Sequence, residues 1–286
     1  MEPLKRIVAV HDLSGVGKCS LTVALPIISA GGVECSCLPT AVLSTHTGEF
    51  TGYVVHDLSD MMEPMAQHWQ RENLRVDGIY SGYLTGPAQV ESLMRVQRLL
   101  GGEETKIIVD PVMADNGKYY AGFGGEMCAA FRRLIAHADI ITPNVTEAAL
   151  LAEVSLPKDG VHSPDFVSEL TEKLCELCTG VVAITGIHPS EGGKLGTVAR
   201  DSRSGKTYSV FQTEREGVFY GTGDIFASSI AALLVRGASL EKALELSAEL
   251  VERSIDLSLD LTAPRRYGVA FERALPEYIR RVAELF

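Results

Sequence analysis

The quartet Gly221-Thr222-Gly223-Asp224 leads straight into the apolar run Ile225–Leu234. A glycine-rich turn at the start of a helix leaves backbone N–H groups without intrahelical partners at the positive end of the helix dipole, which suits a phosphoryl oxyanion. Asp224 at that point is also a good helix N-cap. Spacing alone leaves both readings open. A second turn, Ser14–Gly17 followed by Lys18, invites a phosphate-loop reading and fails it at two positions. Asp12 stands five residues before Gly17 where that motif needs glycine, and Cys19 replaces the required hydroxyl residue. Lys18 is therefore expected to be solvated or to face a phosphate, and the turn also lacks the third glycine of a dinucleotide fingerprint. Cys175-Glu176-Leu177-Cys178 has the spacing of a zinc or redox half-site, but no second pair or paired histidine accompanies it. It falls within Phe166–Thr179, where Phe166, Leu170, Leu174 and Leu177 recur at helical spacing, so core packing is the expectation.

Such residues act only where elements position them. Arg6–Val10, Gly78–Tyr80, Lys106–Asp110, Asp139–Thr142 and Val181–Thr185 read as buried strands. Helical patterns run through Ser20–Ala30, Leu58–Arg71, Pro87–Leu100, Asp224–Leu234 and Leu240–Leu257, with Glu91 and Arg95 four apart on the third of them. Thr197–Arg200 and Thr207–Gln212 flank Ser202–Gly205 as an antiparallel hairpin. The alternation predicts an α/β fold of three layers, α/β/α, with a mostly parallel central sheet flanked by helices. Val33–Leu43 alternates and is expected to project from the main layer, as part of a small strand extension near residues 33–53. Ligands of open α/β sheets bind at the carboxyl edges of the strands. His11-Asp12, Ser81-Gly82-Tyr83, Asp110-Pro111, Thr142-Pro143-Asn144 and Thr185-Gly186 should therefore converge on one edge. Glu147, three residues after Asn144, also has the spacing of a helix-capping box.

At 286 residues the chain is expected to form one domain, 1–286, with a sizeable core. The formal net charge of −11 argues against nucleic acid or an anionic membrane as partner. The apolar run Ile7–Val10 is too short for a signal-peptide core, and no stretch approaches the roughly 18 apolar residues of a membrane span. Six cysteines without a secretory signal read as free thiols in a reducing cytoplasm, which is the expected location.

The stretch Phe219-Tyr-Gly-Thr-Gly-Asp-Ile-Phe-Ala227 resembles the C-terminal signature of the ribokinase (PfkB-type) superfamily of carbohydrate and vitamin kinases. Four further segments are similar to its pyridoxal kinase branch: Leu43-Ser-Thr-His-Thr-Gly48, Ser81-Gly-Tyr83, Asp110-Pro-Val-Met-Ala-Asp115 and Ile141-Thr-Pro-Asn-Val-Thr-Glu147. Pro157–Asp165 and the tail beyond Asp260 do not align.

The resemblance implies a ribokinase-like kinase that uses ATP and Mg²⁺ to phosphorylate the 5′-hydroxymethyl group of a B6 vitamer. It implies Asp224 as catalytic base, with Gly221, Thr222 and Gly223 as the anion hole. Asp12, His46, Thr47 and Tyr83 would line the vitamin pocket, Tyr83 as an aromatic face for the ring. Thr142, Asn144, Thr185 and Gly186 would lie along the nucleotide, and Asp110 and Glu147 would hold the metal, through water if not directly. A monovalent cation stays open. A homodimer is implied, with Val33–Leu43 contributing to the contact. The chain departs from the branch at Asp12 and Lys18, where familiar members carry Ser and Asn, which leaves vitamer preference open. A hydroxymethylpyrimidine or sugar kinase, or a non-catalytic metabolite-binding relative, are the alternatives. Hydroxymethylpyrimidine kinases usually carry Cys at the position matching Asp224, and a sugar kinase would show more polar residues near Asp12.

Overall fold

The computed structural model describes residues 3–286; the first two residues of the expected 1–286 unit lie outside the described residues. Strand β1 (Arg6–Ser14) is followed by α1 (Leu21–Ala30), β2 (Glu34–Leu43), β3 (Val55–Asp57), α2 (Ser59–Arg71), β4 (Gly78–Ser81), α3 (Pro87–Leu100) and β5 (Lys106–Val109). A small hairpin, β6 (Ala114–Asp115) and β7 (Lys118–Tyr119), precedes α4 (Gly125–Ile135), β8 (Ile140–Ile141), α5 (Val145–Ala152) and α6 (Pro164–Leu177). The chain then forms β9 (Val181–Ile187), β10 (Lys194–Asp201), β11 (Thr207–Thr213), α7 (Thr222–Arg236), α8 (Leu240–Leu259) and α9 (Phe271–Leu285).

Nine strands make one sheet in the order β11-β10-β9-β8-β5-β4-β1-β2-β3. The six from β9 to β2 run parallel, and β3, β10 and β11 are antiparallel additions at the two edges. Alternation along the central strands divides the core between two faces. Val8, Val10, Ile79 and Val109 pack under α2 to α6 with Leu93, Phe131, Leu151 and Leu174. Ile7, Ala9, Tyr80 and Ile108 pack on the opposite face under α1 and α7. Helices α8 and α9 extend that second layer, through Leu246, Leu250, Phe271 and Tyr278. The expected three-layer α/β/α arrangement is the observed one.

Two local expectations change. Val33–Leu43 does not project from the main layer: β2 pairs in parallel with β1, from Arg6 opposite Glu34 to Ser14 opposite Leu43. The only strand added beyond it among the described residues is the three-residue β3, which begins at Val55, after the expected 33–53 region. The α3 pair also separates, because tertiary partners outcompete the weak i,i+4 interaction. Arg95 bonds Glu63 of α2 at 2.7 Å, while Glu91 takes Arg133 of α4 at 2.7 Å. Cys178 is buried and donates to the Ala138 carbonyl, and Cys175 packs against the same core cluster, as core cysteines should.

Candidate active site

The parallel strands bring the polar clusters to one edge, as their positions after successive strands require. Asp12 is at the end of β1, Tyr83 follows β4, Asp110 follows β5, Thr142 follows β8, and Thr185-Gly186 lies near the end of β9. The Asn144–Thr185 bridge continues the pairing of β8 with β9 into the site.

Helix α7 begins at the glycine turn. Gly221 is its N-cap with φ of 84°, a left-handed conformation, and a Cβ there would collide with the Lys18 carbonyl oxygen. Thr222 closes the turn by donating its hydroxyl to the Phe219 carbonyl at 3.0 Å. Nothing stands within 4 Å of where a Gly223 Cβ would be, so the first turn of the helix is open on that side. Asp224 makes no side-chain cap at this end; its carboxyl is pushed up to about 7 by burial, against the Ser20 backbone N–H, with Asp12 adding to the rise. Ser20 occupies an uncommon backbone conformation, φ of 52°, at the entry to α1.

Asp110 is a buried carboxylate, whereas Asp224 keeps some exposure. Asp110 accepts the Thr142 hydroxyl at 3.1 Å, and burial followed by the charge of Asp224 pushes it up to about 8. Glu147 is differently placed. Its Oε1 accepts the backbone N–H groups of Met113 at 3.0 Å and Ala114 at 3.4 Å, and its Oε2 accepts that of Asn144 at 2.9 Å. Asn144 Oδ1 in turn accepts the Glu147 N–H at 2.9 Å, and the Asn144 amide donates to the Ala114 carbonyl at 2.8 Å. The capping box is complete, and both side chains are spent on backbone.

At the end of β1, Asp12 is buried and accepts the Ser14 hydroxyl at 2.9 Å; burial raises its pKa despite hydrogen bonds from Ser20 and Ser14. His46 is buried with both ring nitrogens engaged by backbone, while the neighbouring Thr47 is exposed. Tyr83 is half-buried, its ring 5.7 Å from that of Phe123. Its carbonyl accepts the Thr40 hydroxyl at 3.1 Å. The buried Gln89 amide ties Thr40 to Ser59, and its oxygen accepts the Thr85 N–H. Lys18 does not stand free for a phosphate: its ammonium bonds the Val269 carbonyl at 3.1 Å and Glu272 at 2.8 Å.

No Lys, Arg or His pairs with Asp12, Asp110, Glu147 or Asp224 among the described residues. Four acidic groups thus gather at a strand edge beside an open helix N-terminus. Residues 25–267 match the family described as phosphomethylpyrimidine kinase. The chain belongs to that family.

Among solved structures, this kinase is similar to a Bacteroides thetaiotaomicron protein described as a candidate phosphomethylpyrimidine kinase and crystallised with pyridoxal. The two are 34% identical, with a TM-score of 0.90 over 96% of each chain. It is also similar to the pyridoxal kinase of Lactobacillus plantarum, at 30% identity and a TM-score of 0.85 over 97% of this chain and 98% of that one. The hydroxymethylpyrimidine/phosphomethylpyrimidine kinase of Bacillus subtilis is 27% identical over 66% of this chain and 67% of its own length.

Some residues of the kinase's site carry no motif of their own. Phe50 and Tyr220 pack on the His46 ring, with centroids 4.9 and 5.1 Å away, and the Arg266 guanidinium covers Phe50. Tyr220 lies within the glycine signature itself; Arg266 falls beyond Asp260, where no motif marks it, although the family match extends to residue 267.

Proposed function

We propose that the kinase transfers the γ-phosphoryl group of ATP to the 5′-hydroxymethyl group of a B6 vitamer, giving the 5′-phosphate and ADP. The observation that carries this reading is Asp224, a carboxylate pushed up to about 7, in the first turn of α7 behind the open glycine turn. A base with a pKa near the working pH is well matched to take the proton of an alcohol as its oxygen attacks phosphorus. The N–H groups of Gly221–Gly223 face the developing phosphoryl charge, and Thr185 and Gly186 flank the nucleotide. Asp12 and Tyr83 orient the pyridine ring. The 34% identity to a protein crystallised with pyridoxal supports this substrate class.

The donor set at the carboxylate cluster fits Mg²⁺. Asp110 has one oxygen taken by Thr142 and no cationic partner, and among the described residues no ready cage of three or more His, Cys, Asp or Glu exists. Mg²⁺ commonly binds through one or two carboxylates, water and substrate phosphates, which needs no such cage. Asp110 would hold it, with Glu147 acting through water. When bound, the ion neutralises charge on the transferred phosphoryl group.

The family match and the Bacillus subtilis relative favour one second reading, hydroxymethylpyrimidine as the alcohol. A coupled ATP-consumption assay with pyridoxal, pyridoxine, pyridoxamine and hydroxymethylpyrimidine tests both. Turnover of any vitamer well above hydroxymethylpyrimidine is expected. Efficient phosphorylation of the pyrimidine with negligible turnover of all three vitamers would overturn the substrate class and leave the kinase class standing.

A further inference from the structure

Behind Asp224, on the face of the sheet covered by α1 and α7, four polar atoms are sealed from solvent and make no hydrogen bond of ordinary length and angle among the described residues, although the Ser228 hydroxyl is a neighbour of Tyr80. They are Nδ1 and Nε2 of His11, Oη of Tyr80 and Oγ of Ser228. All three residues are fully buried. They come from three separate elements, β1, β4 and α7, and the fold brings them together. Ala9 and Tyr80 are register partners, so His11, two residues beyond Ala9, emerges on the same face as Tyr80. The two rings meet edge to face with centroids 4.4 Å apart. Gly82 makes room for the imidazole, since a Cβ there would collide with it. Tyr80 packs with Ala227 and Ala231 of α7, and Ser228 lies one turn along that helix from Asp224.

Buried polar groups in folded proteins are almost always satisfied, by protein or by internal water. The three side chains are all uncharged. Burial lowers the His11 pKa to about 3 and, with the charges of Asp110 and Asp224 adding to it and the neighbouring Ser228 hydroxyl opposing it, raises that of Tyr80 well above its ordinary value. A neutral imidazole offers one donor and one acceptor, and each hydroxyl offers both. Such a mixed set matches water, which both donates and accepts, better than it matches an ion of either sign.

We propose that His11, Tyr80 and Ser228 hold an internal water behind Asp224, and that Tyr80 is a positioning residue for the catalytic base. The role assigned to Tyr80 rests on the reading of Asp224 as general base. A carboxylate steadied from behind keeps one oxygen aimed at the substrate hydroxyl, and a small loss of aim is costly to an in-line transfer.

Three measurements test this. A crystal structure is expected to show an ordered water within about 3.2 Å of Tyr80 Oη and of one His11 nitrogen. Tyr80→Phe, which removes only the hydroxyl, is expected to lower kcat about tenfold with KM for ATP and for the alcohol unchanged. The same variant and Ser228→Ala are each expected to lower Tm, because the water loses a partner; removing a truly orphaned hydroxyl would raise it. An unchanged kcat in Tyr80→Phe overturns the positioning role. Empty density at the site, or a raised Tm in either variant, overturns the water site. A wild-type protein inactive toward every alcohol removes the general-base reading and the role of Tyr80 with it, while density and Tm still decide the water site.

Discussion

Nε2 of His46 lies 2.6 Å from the carbonyl oxygen of Arg266, 220 residues further along the chain, and Nδ1 of the same ring accepts the Gly48 N–H at 3.0 Å. A carbonyl can only accept, so Nε2 carries the proton and Nδ1 is the acceptor. Both nitrogens are used by backbone, and the ring ties the loop after β2 to the turn before α9. In the proposed vitamin pocket, His46 would act by fixing these loops instead of offering a free nitrogen. His46→Ala is expected to raise KM for the alcohol about tenfold, to leave KM for ATP near its original value, and to lower Tm by about 3–6 °C. The latter corresponds to about 1–2 kcal/mol for two lost hydrogen bonds and reduced packing. Substrate kinetics and thermal melts of the two proteins check this; an unchanged KM for the alcohol would place the tie outside the pocket.

The convergence of Asp12, Tyr83, Asp110, Thr142 and Thr185 was legible in the sequence because each follows an apolar strand, and strands of one parallel sheet end on one side. The capping box of Asn144 and Glu147 was legible for a similar reason, since its spacing is local. What stayed hidden depends on distant partners. Nothing near Lys18 announces that Glu272, 254 positions away, takes its ammonium. Nothing near His11 announces that β4 and α7 seal it. Helix α9 and the turn at Arg265–Tyr267 lie in the stretch where the motifs stop, although they close one side of the site through Val269, Arg266 and Glu272. The register of Val33–Leu43 misled because alternation reports a half-buried strand without saying which neighbour pairs with it.

The β2–β3 edge bears on assembly. Val42, Val54 and Val55 are exposed there, Val54 at 71%, where β3 is the terminal strand of the sheet. Such an edge is usually covered or blunted with charge. A homodimer that buries this edge is expected, read as roughly twice the chain mass by light scattering at micromolar concentration. Val54→Lys is expected to shift the molecule toward monomer, and a wild-type monomer across that range would rule the assembly out.

Asp12 is a buried carboxylate that accepts the Ser14 hydroxyl, and the proposed function sets it beside the vitamin ring. An anion beside the ring contributes differently to pyridoxal, pyridoxine and pyridoxamine, and a charge-assisted hydrogen bond is worth about 1.5–3 kcal/mol. Asp12→Ser is expected to change the ratios of kcat/KM among the three vitamers by about tenfold or more while altering the rate on the best one less. Unchanged ratios would show that Asp12 does not meet the substituents by which the vitamers differ.

Asp224→Asn keeps the size of the side chain at the start of α7 and removes the base. General-base catalysis contributes about 10²–10⁴ in rate, so kcat is expected to fall by that factor with affinities for ATP and vitamer little changed. Steady-state kinetics on the folded variant decide the matter. Near-normal kcat would leave Asp224 a structural residue and send the proton elsewhere.

The same carboxyl sets two pH dependences. As the proposed base it works only when ionised, so kcat/KM, which reports the free enzyme, is expected to fall below a midpoint near 7. Asp12, Asp110, Cys19, Tyr80 and Tyr120 are the titratable groups within its electrostatic reach, and the limb belongs to Asp224 only if Asp224→Asn removes it from the residual rate. Stability runs the other way. The folded-state pKa is raised from 3.8 to about 7, so between those values the folded protein holds a proton that the unfolded chain has lost. Unfolding then releases a proton, and stability falls as pH rises through that window, the contribution being complete below about 4 and gone above about 7. Three units would amount to about 4 kcal/mol at full effect, and solvent at the open pocket screens this to about 1–2 kcal/mol. Asp224→Asn carries no such penalty. It is therefore expected to gain about 1–2 kcal/mol over the wild type between pH 4 and pH 8, measured as the difference in urea unfolding free energies without Mg²⁺ or nucleotide. A difference that stays constant across that range would mean that Asp224 is as readily ionised in the folded protein as in the unfolded chain, and the acid limb of kcat/KM should then lie near 4.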